Sequence, residues 1–247
     1  LVVAQVALAL MLLIGSGLMI RTFQALRAVE PGFTHPDQIQ TVEIPVPASL
    51  VPEPDRVARL QNDIVERIAA IPGVTSVAFA TVMPMDTRTP DWDAVHVEGR
   101  TYSKDEVPPL RFFKSVSPRF FETSGTRLVS GRGFTWTDLY DHRPVVMVSE
   151  NLARELWGSP TAAIGKRIRP YSKGPWREVV GIVGDVKDQG LDRGANPQVY
   201  FSWAQSPAHD GTLVVRGANV SSLAPAIRSK AQELDKQLPI SNVRTLE

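Results

Sequence analysis

The chain has 247 residues, with 27 Lys and Arg against 26 Asp and Glu, a formal net charge of +1 at pH 7. That balance argues against a nucleic-acid binder, which gathers basic charge to neutralise phosphates. The lack of cysteine excludes a disulfide framework, a thiol nucleophile and a thiolate zinc site together. A 43% hydrophobic and 21% charged composition is that of a globular chain, long enough for one large domain or two small ones.

The opening segment, LVVAQVALALMLLIGSGLMI, carries no charge. As a helix it is about 30 Å long, the thickness of a bilayer's hydrocarbon core. Buried core helices rarely run so far without a charge. A secretory signal has a basic start, a shorter apolar run and a small-residue cleavage site after it. The reading that fits is a transmembrane helix with a short extension, residues 1–28. The chain opens on Leu1 rather than Met, so it is expected to be a piece of a longer protein. Arg21 and Arg27 alone do not set the orientation of the helix.

Pro31-Gly32 and His35-Pro36 then break the helical pattern. A strand is predicted over Gln40–Val46, a helix from about Asp55 to Ala70 and a second strand over Val74–Val82. The helix presents Val57, Leu60, Ile64, Val65 and Ile68 at helical spacing. The C-terminal end repeats this pattern. A strand at Thr212–Arg216 leads to a helix starting at Ser221 or Ser222 and running to about Leu238, then a strand from Ile240. Two strand–helix–strand units at opposite ends imply one sheet built from both, with the residues between them inserted.

The intervening part is strand-rich. Strands are expected at Ala94–Glu98, Arg111–Val116, Val145–Ser149, Lys166–Arg169, Arg177–Asp185 and Gln198–Ser202, with short helices from Ser117-Pro118 and from Ser149 to Trp157. The longest loops fall at Met83–Asp93 and Ser172–Trp176.

Motifs for chemistry are missing. Gly158–Arg167 has the wrong spacing for a phosphate loop and places Arg where the magnesium-ligating hydroxyl belongs. There is no H-E-x-x-H and no G-x-S-x-G. No catalytic, metal-ligating or cofactor-binding residue is assigned. Asp138, Asp141 and His142 cluster in sequence, but such a group reads better as a solvated turn with helix-capping carboxylates than as a metal site. Asp185, Asp188 and Asp192 follow a strand without the oxygen spacing of a calcium loop, and strand-end turn chemistry accounts for them better. Trp92 and Trp136 lie in loop-like sequence. They are the candidate partner or cargo contacts, against the alternative that each folds back over the local core.

Several segments carry a resemblance. Ser115-Val-Ser-Pro-Arg-Phe-Phe-Glu-Thr-Ser-Gly and Leu128-Val-Ser-Gly-Arg-Gly-Phe-Thr resemble the VSPxYFxxxGxxLxxGRxF stretch of MacB-like periplasmic core domains. Val145-Val-Met-Val-Ser-Glu-Asn-Leu-Ala-Arg-Glu-Leu-Trp and Ile164-Gly-Lys-Arg-Ile continue the match. Val179-Val-Gly-Ile-Val-Gly-Asp-Val-Lys-Asp-Gln-Gly-Leu-Asp, with Pro197-Gln-Val-Tyr-Phe, is similar to the duplicated MacB/FtsX-type permeases called ADOP proteins. The chain departs from the pattern at Ser124-Gly-Thr-Arg and at Gly158-Ser-Pro-Thr-Ala-Ala.

The resemblance implies an α+β fold: a transmembrane helix, then a two-part extracytoplasmic domain. A porter-like sheet layer would comprise residues 29–100 and 205–247, with a strand-rich, sabre-like subdomain inserted at 101–204. It further implies the periplasmic domain of an ABC transporter permease in the inner membrane, with the residues after about 28 on the periplasmic side. Such a domain is non-catalytic and couples ATP hydrolysis on a separate cytoplasmic ATPase subunit to efflux or export by mechanotransmission. The implied partners are that ATPase, a second permease half or copy, membrane lipid, and a periplasmic adaptor with an outer-membrane channel. No cofactor is expected. Two other readings stay open: an FtsX-like domain that recruits or activates a cell-envelope hydrolase, and a membrane-tethered enzyme.

Overall fold

The computed structural model describes all residues except 1, 47–52, 87, 89, 104, 105, 142, 172, 204–210, 235–237 and 247. The uncharged N-terminal run forms helix α1 (Val2–Arg27), every residue of which is exposed or nearly so. It is long and apolar enough to cross a membrane, and an all-round apolar surface without protein packing is what a lipid environment favours.

A 3-10 turn at Pro36–Gln38 leads into β1 (Ile39–Glu43), which is followed by α2 (Pro54–Ala69) and β2 (Val74–Ala80). Then come β3 (Asp91–Val97), β4 (Leu110–Val116), α3 (Phe120–Ser124), β5 (Leu128–Gly131), α4 (Trp136–Tyr140), β6 (Val145–Ser149), α5 (Glu150–Trp157) and α6 (Pro160–Ala163). The chain ends with β7 (Arg167–Pro170), β8 (Arg177–Val183), β9 (Gln198–Ser202), β10 (Thr212–Gly217), α7 (Ala224–Leu234) and β11 (Ser241–Thr245).

The two terminal units interleave. Strand β10 pairs antiparallel with both β1 and β2, and β11 pairs antiparallel with β1, giving the order β11-β1-β10-β2. This is a split βαβ arrangement, in which each crossover helix spans an intervening strand. Alternation along the strands divides their side chains between two cores. Val42, Val77, Phe79, Leu213 and Val215 meet Ile64 and Ile68 of α2 and Ile227 and Ala231 of α7. On the opposite face, Ile39, Ala78, Ala80 and Val214 join a second core. Burial on both faces is why these strands read as near-continuous apolar runs.

The intervening strands close on themselves. Pairings run β4–β3, β3–β7, β7–β8, β8–β6, β6–β9 and back through β9–β4, with β5 added on β8. Val95, Phe113, Val146, Ile168, Val179 and Val199, one from each ring strand, collect into a third core with Leu152, Ala153 and Leu156 of α5. Closure pairs each of the six ring strands on both sides. Met147, Val180, Val183 and Tyr200 point the other way, into the second core, with Phe120 and Phe121 of α3. The second core therefore lies between the ring and the β11-β1-β10-β2 sheet.

Strand β3 lies before residue 100, yet its partners β4 and β7 lie beyond it. It begins at Asp91, so Trp92 stands in a strand opposite Phe112 and not in the expected loop. Helix α3 begins at Phe120, later than Ser117-Pro118 suggested, because the Ser117 hydroxyl is drawn to the β2 backbone, accepting the Phe79 N–H at 2.8 Å. The predicted C-terminal helix is a 3-10 turn at Val220–Leu223 followed by α7, and its predicted end near Leu238 runs through 235–237, outside the described residues. Strand β5 and helix α6 have no counterpart in the sequence reading; each is only four residues long.

Candidate functional site: the junction of the apolar helix with the domain

The polypeptide leaving α1 is fastened to the domain within a few residues. The Lys187 N–H donates to the Pro31 carbonyl at 2.9 Å, and Phe33 is buried. Arg216 of β10 donates through Nη2 to the Thr34 carbonyl at 2.6 Å and through Nε to the Thr123 carbonyl of α3 at 2.7 Å. Two glycines make the close approach possible. Gly32 and Gly125 hold φ of +90° and +74°, a region open chiefly to glycine. A Cβ on Gly32 would collide with the Asp185 carbonyl oxygen, and one on Gly125 with the Thr34 hydroxyl. Burial disfavours the charged form of Arg216, and Asp37 opposes that effect only in part, so its pKa lies below the usual guanidinium value. A cleft of about 440 Å³ flanks the junction, lined by Glu30, Phe33, Arg127, Glu150 and Asp185.

The aspartates after β8 divide among three roles. Asp185 accepts the Asn151 N–H at 2.8 Å, satisfying a free donor at the start of α5. Burial raises its pKa against the pull of that bond. Asp192 is exposed. Asp188 is buried, with Oδ1 at 2.5 Å from Lys114 Nζ and Oδ2 accepting the Gln198 side-chain amide. The strand-end reading therefore misplaces Asp188. Its partner sits in the middle of β4, opposite Tyr200 of β9, beyond the reach of local spacing. Burial pulls the Lys114 pKa down, and Asp188 works against it.

Asp138 caps α4. It accepts the Thr135 N–H at 3.0 Å while the Thr135 hydroxyl oxygen accepts the Asp138 N–H at 3.2 Å, a reciprocal capping box. Arg132 grips the same carboxylate at 2.6 and 2.9 Å. The capping reading holds, but the carboxylate is buried and not solvated. Asp141 faces solvent beside Arg143 at 3.6 Å, and His142 lies outside the described residues. Among the described residues no three His, Asp or Glu side chains converge as a metal-binding group.

The two tryptophans do not come together. Trp136 opens α4, stacks on Tyr140 with ring centroids 6.0 Å apart, and packs half-buried against the first core. Trp92 is 56% exposed on β3. A groove of about 650 Å³ near β5 is lined by Arg132, Arg143, Arg167, Trp176 and Glu178, but its guanidinium groups are engaged. Arg132 holds Asp138, Arg143 faces Asp141, and Arg167 binds Glu98 at 2.9 Å. The residues that sequence reasoning missed are Gly32, Thr34, Lys187 and Arg216. Only Pro31-Gly32 left a sign in the sequence, as a helix stop.

An N-terminal helix long and apolar enough to cross a membrane is thus tied through a short, hydrogen-bonded junction to a mixed strand-and-helix domain. The family described as "MacB-like periplasmic core domain" matches residues 1–233, and the chain belongs to that family. Among solved structures it is similar to the periplasmic region of MacB from Actinobacillus actinomycetemcomitans, with 16% identity, a TM-score of 0.53, and coverage of 85% of this chain and 90% of that one. It is also similar to the extracellular domain of the noncanonic ABC-type transporter YknZ from Gram-positive bacteria, with 16% identity, a TM-score of 0.50, and coverage of 82% and 100%. No curated protein matches the chain. The chain is thus the periplasmic domain, with its leading helix, of a MacB/FtsX-type ABC permease.

Proposed function

We propose that this domain transmits force. ATP hydrolysis on a separate cytoplasmic ABC subunit would move α1, and the domain would follow as a body, changing its hold on a cargo or partner during efflux or export. In this reading the chain performs no chemistry of its own. The observation that carries it is the junction: between Pro31 and Thr34 the backbone is bonded to Lys187 and Arg216, which belong to separate parts of the domain. A flexible tether would absorb displacement, whereas a hydrogen-bonded one delivers it.

The β11-β1-β10-β2 sheet would act as the porter-like part and the ring, to which 101–204 contributes every strand but β3, as the sabre-like part, on the periplasmic side of the inner membrane. The further partners would be a second permease half or copy, a periplasmic adaptor and an outer-membrane channel. Trp92, outward on β3, is the contact we would assign to a partner or cargo. Trp136 is the weaker candidate, because it is packed against the first core.

The test uses the intact permease with its ATPase in nanodiscs. With any cysteine elsewhere in the permease replaced, one label at Val107→Cys, an exposed site in a sequence without cysteine, reports its distance from labelled outer-leaflet headgroups. The distance is expected to differ between nucleotide-free and ATP-trapped states. An unchanged distance, together with activation of a cell-envelope hydrolase by the domain, would favour the FtsX-like regulatory role.

A further inference from the structure

The connection from β8 to β9 meets five parts of the molecule within five residues. The Gly184 N–H donates to the Arg127 carbonyl before β5 at 2.8 Å. Asp185 caps α5, and its carbonyl rests against Gly32. The Lys187 N–H holds Pro31. The Asp188 carbonyl accepts the Met85 N–H at 3.1 Å, and its carboxylate reaches Lys114 of β4. Lys114 and Asp188 are only 2% and 5% exposed. A buried ion pair is an inefficient source of stability, since the loss of hydration offsets much of the attraction. What it imposes is position: neither charge can move away without leaving the other unpaired in the interior.

We propose that Lys114 and Asp188 are positioning residues that clasp the Gly184–Asp188 segment to the strand ring, so that the exit of α1 and the ring move together. This deepens the force-transmission reading and rests on it. The segment touches both the stalk, through Gly32 and Pro31, and a ring strand's interior charge. Without the clasp the segment keeps its ties to β8, Arg127 and Asn151, but its far end, which carries the Lys187–Pro31 and Met85–Asp188 bonds, opens more readily.

The test is amide hydrogen exchange on the whole 247-residue chain in nanodiscs, comparing wild type with the Lys114→Met/Asp188→Leu double variant. The double variant leaves no lone charge, so the fold is expected to survive. Exchange at Lys187 and Met85, whose N–H groups bond to Pro31 and to the Asp188 carbonyl, should rise by about tenfold or more, while Val214 and Val215 of β10 keep wild-type protection. Wild-type protection at the junction would overturn the proposal. So would an equal loss everywhere, which would make the pair an ordinary contributor to stability. No ATPase is present, so a failed clasp is distinct from a failed transmission reading, which is decided by the nucleotide-dependent distance.

Discussion

Gly32 and Asp185 stand so close that the glycine has no space for a side chain: a Cβ would strike the aspartate's carbonyl oxygen and lie 2.8 Å from the Cα of Val186. The glycine also sits at φ +90°, where an L side chain is strained. Gly32→Ala should therefore open the junction while leaving the cores intact. Limited proteolysis between residues 28 and 36 is expected to speed up about tenfold, with little change in Tm. Unchanged cleavage would mean the contact is not holding the stalk.

Replacing Lys114 alone should be worse than replacing both partners. Lys114→Met leaves Asp188 charged and buried and should cost about 3–5 kcal/mol in denaturant unfolding, with most of that recovered in the double variant. Equal midpoints for the single and double variants would contradict the ion pair.

Asp138→Asn tests the α4 cap. It removes the charge that Arg132 grips and should cost about 2 kcal/mol at neutral pH. Burial tends to raise the Asp138 pKa, but the bonds from Arg132 and Thr135 outweigh it and hold the carboxyl below its ordinary value. The native state thus favours the ionised form. Its contribution is complete above the unfolded value of about 4 and fades as pH falls through the lowered native value. Urea midpoints of wild type and variant should therefore differ at pH 7 and converge in strong acid.

The two tryptophans should behave differently on truncation. Trp136→Ala removes a ring packed on the first core and should cost about 2–3 kcal/mol. Trp92→Ala, at a site 56% exposed, should stay within about 1 kcal/mol. Thermal melts of both variants check this, and comparable losses would refute the difference in packing.

Leu12→Arg should impair insertion of α1. A charge near the middle of a membrane helix costs about 2.5–3.5 kcal/mol on insertion scales. Membrane integration of the variant is expected to fall, and wild-type integration would argue that α1 does not span.

Local patterning carried a great deal. The strand–helix–strand units at both ends are legible because alternation and helical spacing repeat over short windows. Asp188 looks like a turn residue in the sequence because nothing near it reveals Lys114, its partner 74 residues away. Trp92 looks like a loop residue because the flanking Asp91 and Asp93 mask a strand, whose existence depends on β4 lying alongside. Ser117 looked like a helix cap and became a bridge to Phe79, because a hydroxyl takes whichever N–H the packing brings to it.

The amino-acid order alone determined an uncharged anchor, an α+β domain and membership of a permease family, because each is written in composition, periodicity or contiguous motifs. The tertiary structure decided how β10 slips between β1 and β2, how six strands close into a ring, and which residues fasten the anchor to the domain. Those contacts join residues tens to hundreds of positions apart, and only packing of the whole chain selects among the pairings that local patterns allow.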